Sequence, residues 1–305
     1  MGRHHARILG THPRTRLAGV VESNGDHRDP SIAPELVHRS IEGLLDAGPP
    51  IFAVVALPTE THAEAAAMLA AAGVHMLIEK PLAANAQAAQ KIVEACRAAG
   101  VLAAVGHVER YNAALVELRR RVLAGELGEL YLVAGERIGP FPDRVRDVGV
   151  VKDLATHDLD VLPWIAGQPI AAVAAQAFHR MGRDHEDLIA INGRLRDGTV
   201  LALQVDWLTP LKARRTRVVG QGGMLVADTL SAELSFYGGG PNGAPIRHAL
   251  PGREPLMAQM DAFCDLLDGG SAANVVSLEE GLAAVRLAEA VLQSAAREET
   301  ITLEA

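Results

Sequence analysis

Two short stretches carry side chains that could move a proton. In "VHMLIEKPLA" an apolar run delivers Glu79, Lys80 and Pro81 to the carboxyl end of a strand that should be buried, and ligands bind at that edge of an open α/β sheet. An ammonium there can donate to a substrate hydroxyl, and a nearby like charge would let it share its proton. A solvated lysine at a strand end would look the same. In "VVKDLATHDLD", read as one helix, Asp153, His157 and Asp160 fall within about 60° around the axis, since four residues advance ~400° and seven ~700°. A carboxylate can hold the imidazole in one tautomer and stabilise its protonated form, as a general base requires. Polar pairs on a helix surface are one alternative. A carboxylate–histidine metal site is another, but no further His or Cys is placed to complete its sphere, so no metal is expected.

The elements that must position these groups come in two styles. From Leu17 to Gly106, apolar runs ("RLAGVVES", "IFAVVALP", "VHMLIEKP", "VLAAVGH") alternate with helical segments. Strands without polar alternation are covered on both faces, which predicts a Rossmann-type doubly wound parallel sheet. Thr59 or Thr61 can cap the helix after the second run, and Gly73 and Gly100 end helices as C-terminal glycines do. After His107 the pattern becomes helix, strand, an Arg/Pro/Gly-rich loop, the Asp153/His157 helix, and successive strands whose "RDGT" and "GQGG" turns suit hairpins. Two helices, Glu254 to Asp268 and Leu278 to Ala296, close the chain. The expected division is a dinucleotide-binding domain over 1–106 and, over 107–305, a second α/β domain with a mainly antiparallel open sheet, a plausible surface for a homo-oligomer, dimer or tetramer.

Composition narrows the partners. A net charge of -8 with scattered basic residues leaves no footprint for nucleic acid. No apolar run reaches the ~20 residues of a membrane span. Cys96 and Cys264 lie far apart within apparent helices, as reduced core thiols of a cytoplasmic protein would.

The alternating first half, "PTETH" after one strand, "EKP" after the next and "KDLATHDLD" some seventy residues on together resemble the Gfo/Idh/MocA oxidoreductases over nearly the whole chain. The resemblance implies hydride transfer from a sugar or polyol carbon to a nicotinamide cofactor. In it Lys80 positions the hydroxyl and shares its proton, His157 is the base, and Asp153 orients and binds. Ala155 stands where many members have glycine. "GHVERYN", "GPFPDRVRDVGVVKDLATHDLDVL" and "DWLTPLKARRTRVVG" look most like the branch that oxidises the 3-hydroxyl of UDP-N-acetylglucosamine. Arg137, Arg144 and Arg146 precede the catalytic helix, where guanidinium forks suit a pyrophosphate, and Lys212, Arg214 and Arg215 could extend that patch. Solvated loop arginines, a free sugar or inositol as substrate, and a catalytically silent relative are the competing readings.

For the cofactor, Glu22 ends the first visible strand twenty positions after Gly2. That is near the spacing of the acid that binds the adenosine ribose, and it favours NAD over NADP. Asp26 is the alternative. Pro58, Thr59, His62, Glu79 and Lys80 complete the expected contacts, although His62 can equally cap or pack. In "MGRHHARILG", Gly2 matches the third glycine of G-x-G-x-x-G and Arg3 opens its helix. The first strand and the first two glycines of that fingerprint have no counterpart in the sequence, so either another element fills the slot or the natural protein is longer.

Overall fold

The structure is a computed structural model that describes residues 1–22, 32–142, 148–238, 244–271 and 273–303. It divides into two compact units, Met1–Val108 with Leu256–Val285 and Glu109–Pro255 with Arg286–Ala305. The boundary expected near Gly106 assigns both C-terminal helices to the second domain, whereas the fold returns Leu256–Val285 to the first unit. What those residues bury explains it. Met260, Phe263 and Cys264 pack with Ile8, Leu77 and Ala104, and Phe263 meets Phe52 edge-on at 5.3 Å between ring centroids. Strand Val276–Ser277 pairs antiparallel with residues 104 and 105. An amphipathic pattern announces an apolar face without saying which sheet it covers.

In the first unit, α1 (Gly2–Thr11) is followed by β1 (Val20–Val21), β2 (Val37–His38), α2 (Ile41–Ala47) and β3 (Phe52–Val55). Then come α3 (His62–Ala71), β4 (His75–Glu79), α4 (Ala86–Ala99) and β5 (Ala103–Gly106). β3, β4 and β5 are parallel. Ala66, Leu69, Ile92 and Val93 from α3 and α4 pack with Met76, Ile78 and Val105, and α1 with helix Pro255–Leu267 packs with Leu77 and Ala104. Helices thus cover both faces, as the apolar runs require. Asn85 caps α4 by accepting from Ala88 N–H at 2.8 Å, and Gly100 ends it at φ +66°. The expected threonine cap of α3 does not form, because Thr61 Oγ1 donates to the Pro58 carbonyl at 2.8 Å. Cys96 and Cys264 are free and buried. Burial pushes the Cys96 thiol up to about 11, which keeps it protonated and inert.

The parallel sheet is interrupted. β1 and β2 form a separate two-stranded sheet, and β3 is paired only on its β4 side. His75 N–H donates to the Ile51 carbonyl at 3.1 Å, so the backbone groups of Phe52 and Val54 turn to the opposite edge. Among the described residues no strand takes up that edge. Phe52, Ala53 and Val54 are accordingly half-buried, where Met76 to Glu79 of β4 are buried. Gly2, expected to let its helix close onto a first strand, has nothing within 4 Å of where a Cβ would stand. Among the described residues there is no strand there for the helix to approach.

The second unit opens with α5 (Ala113–Leu123), capped by the Asn112 side chain, then β6 (Leu130–Pro140) and α6 (Thr156–Ala166). β7 (Ile170–Phe178), β8 (Leu188–Leu195), β9 (Val200–Asp206) and β10 (Leu208–Gly220) follow, then β11 (Gly223–Asp228), β12 (Glu233–Tyr237) and β13 (Ile246–Ala249). They join one open sheet in the order β13-β12-β11-β10-β6-β9-β8-β7, with Ile301–Thr302 at the far edge. Only β6 and β9 pair in parallel. The "RDGT" and "GQGG" turns join β8 to β9 and β10 to β11, as their residues predict. Leu118, Leu159, Leu162 and Val291 from the helices share a core with Val133, Ile189, Leu203 and Val218 of the sheet. Both tryptophans, Trp164 and Trp207, lie in this unit. Among the described residues no helix is long and apolar enough to cross a membrane.

Candidate active site

β4 delivers Glu79 and Lys80 to its carboxyl end. Glu79 is buried, with Oε1 2.6 Å from His5 Nε2 and Oε2 accepting from Lys80 N–H at 3.3 Å. His5 is buried too, so α1 and the end of β4 are tied together at the residue before the lysine. Gly106 leaves the room, since a Cβ there would stand 3.2 Å from Glu79 Oε1. The adjacent histidines of "RHHA" are the only trace of this tie in the sequence. Lys80 itself is half-buried.

The other expected cofactor residues spread along the same unit. Gly2 and Arg3 open α1, whose start has no side-chain cap. Exposed N–H groups and the helix dipole there suit an anion. Glu22 follows β1, half-buried, with its N–H donating to the His38 carbonyl at 2.9 Å. Asp26 lies outside the described residues. Pro58 and Thr59 sit beyond β3 at the start of a short 3-10 turn. His62 is buried between two carbonyls, Leu82 O 3.2 Å from Nδ1 and Leu57 O 3.0 Å from Nε2. Of its two readings, packing is the one its partners support. A dinucleotide fits this unit in part: α1 offers an anion end, and Glu22 a carboxylate of the kind that binds a ribose.

In the second unit the segment bearing Asp153 and His157 is not one α-helix. Val151–Ala155 forms a π-helical turn and α6 continues from Thr156. A π turn holds more residues than an α turn, so Asp153 and His157 are offset by less than the ~400° of four α-helical residues. Both are half-buried, and Asp153 Oδ2 and His157 Nδ1 are shut off from solvent. The Asp160 carboxylate, read from the helical wheel as a second flank of the imidazole, accepts from Arg110 Nε and Nη2 at 2.9 and 2.5 Å. Arg110 lies 5.6 Å from the Trp164 ring.

Arg137 has partners other than the expected pyrophosphate. Its Nε and Nη2 donate to Asp158 at 2.5 and 3.3 Å in buried surroundings, and Nη1 donates to half-buried Glu109 at 3.0 Å. Burial works against its charge, but Asp158 and Glu109 more than offset it and hold the pKa above the ordinary value. A guanidinium already matched by two carboxylates is an internal strut of α6. Arg144 and Arg146 lie outside the described residues. Arg215 donates to Asp228 at 3.2 Å and Lys212 is exposed.

A further residue, absent from the sequence reading, holds the start of this segment. Glu186 is buried and its Oε1 accepts from Val151 N–H at 2.8 Å, while its own carbonyl accepts from Val150 N–H at 3.0 Å. A Cβ on Gly149 would stand 2.1 Å from that carboxylate oxygen, so the glycine makes the approach possible. Gly149→Ala should therefore push Glu186 off Val151 and lower the stability of this unit by about 1–3 kcal/mol, the cost of a buried donor left unsatisfied. Glu186→Gln keeps an acceptor and should cost much less. Tryptophan fluorescence during urea unfolding reads both, and a fully stable Gly149→Ala would show that this contact does not hold the helix.

Comparison with known proteins adds a second line of observation. A family model described as "Oxidoreductase family, NAD-binding Rossmann fold" matches residues 1–107, and one described as "GFO/IDH/MocA C-terminal domain" matches 115–226. UDP-N-acetylglucosamine 3-dehydrogenase of Acidithiobacillus ferrooxidans is 30% identical over 96% of this chain and 92% of its own length. A solved structure of that enzyme superposes with a TM-score of 0.86 at 27% identity, covering 98% of this chain and 96% of the other. Inositol 2-dehydrogenase 2 of Saccharopolyspora erythraea is 31% identical over 61% of this chain and 57% of its own.

Proposed function

The chain belongs to the Gfo/Idh/MocA oxidoreductase family, and from that premise we propose that it is an NAD-dependent dehydrogenase acting on the C3 hydroxyl of a UDP-linked N-acetylamino sugar. The observation that carries the substrate is the end-to-end similarity to the Acidithiobacillus enzyme, over 96% of this chain. When bound, the nicotinamide supplies the hydride acceptor. Lys80 donates to the hydroxyl being oxidised and fixes its position, Asp153 orients the sugar, and His157 takes the hydroxyl proton. α1 and Glu22 hold the cofactor, with Gly2, Arg3, Pro58, Thr59 and Glu79 around it. A half-buried carboxylate at Glu22 repels a 2′-phosphate, which supports NAD over NADP.

The same reading makes the protein a cytoplasmic homo-oligomer, on its two free thiols and on the open sheet of the second unit. Reduction of NAD, followed by absorbance, tests the activity. UDP-N-acetylglucosamine should support it and myo-inositol or free hexoses should not. The opposite pattern replaces the substrate assignment with a polyol one. A folded chain that binds no NAD in calorimetry would favour the catalytically silent reading.

A further inference from the structure

Six cations are candidates for an anionic part of the substrate, and the second unit separates them. Arg137 is matched by Asp158 and Glu109, Arg215 faces Asp228, and Lys212 is exposed. Arg144 and Arg146 lie outside the described residues. Arg214 differs from these. It is half-buried on β10, directly across the β6 pairing from Arg137. Its Nη1 donates to the carbonyls of Ile138 and Ala213 at 2.5 and 2.8 Å. Among the described residues no carboxylate pairs with it, and its Nε and Nη2 are not engaged. The Nε–Nη2 edge carries two parallel N–H bonds and takes two oxygens of a phosphate or carboxylate at once.

We propose that Arg214 anchors an oxyanion of the substrate through its Nε–Nη2 edge, so that the second unit recognises a phosphorylated sugar rather than a neutral one. The inference rests on the dehydrogenase reading only for the identity of the sugar. The anion is selected by the arginine itself. Burial, with Arg137 beside it, pulls the Arg214 charge below its ordinary pKa against the opposing pull of the Asp158, Glu109 and Asp153 carboxylates. An incoming anion relieves a charge that the fold leaves undercompensated, next to a residue assigned to the reacting end. Fixing Nη1 on two backbone carbonyls also sets the direction of the free edge before any ligand arrives, which lowers the ordering cost of binding.

Equilibrium binding of UDP and of inorganic pyrophosphate by calorimetry tests this without turnover, so it gives an answer even if NAD reduction fails. The wild-type protein should bind UDP, and Arg214→Met should weaken that binding by about 10- to 100-fold. Arg214→Lys, which keeps the charge and loses the fork, should fall between them. Arg217→Met, on the same strand and exposed, should bind as the wild type does. In turnover, Arg214→Met should raise KM for UDP-N-acetylglucosamine with kcat retained. The tryptophan unfolding curve checks that Arg214→Met is folded, and Arg214→Lys carries the test if it is not. Equal UDP binding by wild type and a folded Arg214 variant, or a wild type that binds neither UDP nor pyrophosphate, overturns the proposal.

Discussion

His157→Ala should lower kcat by about 10²–10⁴-fold, the usual worth of a positioned general base, while NAD affinity and the unfolding of the second unit should stay close to wild type. The side chain is half-buried at the start of α6, and the helix is held by contacts that do not include it. Glu186 grips the Val151 amide, and Arg137 and Arg110 grip Asp158 and Asp160. Removing the imidazole should therefore take away the proposed proton acceptor while these contacts still hold the helix. Under the proposed roles Lys80→Met should act on the same step, because the hydroxyl assigned to Lys80 is the one assigned to His157 for deprotonation. Groups that act as a unit are not additive, so the double variant should lose little more than the worse single one. Steady-state kinetics with UDP-N-acetylglucosamine decides. A His157→Ala enzyme within about threefold of wild-type kcat removes the histidine from the base role, and independent multiplying losses would show that the two residues serve different steps.

Much of the first unit is legible because its strands are apolar runs that only a doubly covered sheet can bury. "VHMLIEKP" becomes β4 with Met76 to Glu79 buried, and the sheet-edge rule then points at Lys80 before any fold is known. What was not legible depends on partners distant in sequence. The tie from His5 to Glu79 spans 74 positions. Helix Pro255–Leu267 is amphipathic whichever sheet it covers, and only the packing of Met260 and Phe263 against Ile8 and Leu77 assigns it to the first unit.

The Asp153 segment shows a different limit. A helical wheel assumes 3.6 residues per turn, and the π turn at Val151–Ala155 breaks that assumption at the residues whose alignment matters. The wheel reads Asp160 as a second flank of the imidazole, and in the fold that carboxylate accepts from Arg110. Arg137 illustrates the same point for charge. A loop-proximal arginine and a buried strut read alike until Asp158, on α6, is seen to accept from it. Arg214 is its neighbour across the ladder, and only the bonding separates the two.

That bonding predicts the largest stability effect. Arg137→Met leaves Asp158 buried, with Glu109 half-buried nearby, without the cation that matches them. Breaking one side of a buried pair costs about 3–5 kcal/mol, because the remaining charge is not solvated. The loss should depend on pH with a definite sign. Burial raises the Asp158 pKa, and in the wild type Arg137 opposes that rise. Without Arg137 the folded-state pKa stands further above the unfolded value. A group raised in this way favours folding most at pH below its unfolded pKa, and that contribution disappears as pH climbs through the folded pKa. The variant should thus fall furthest behind wild type at neutral pH and recover part of the difference at a lower pH, as Asp158 takes up a proton. Asp158→Asn in the same background removes the titrating group and should flatten the slope. Trp164 and Trp207 both report on this unit, so urea unfolding followed by their fluorescence at the two pH values measures it directly. An Arg137→Met protein as stable as wild type at neutral pH would mean that Arg137 is not the strut of α6, and would return it to the cations available for substrate.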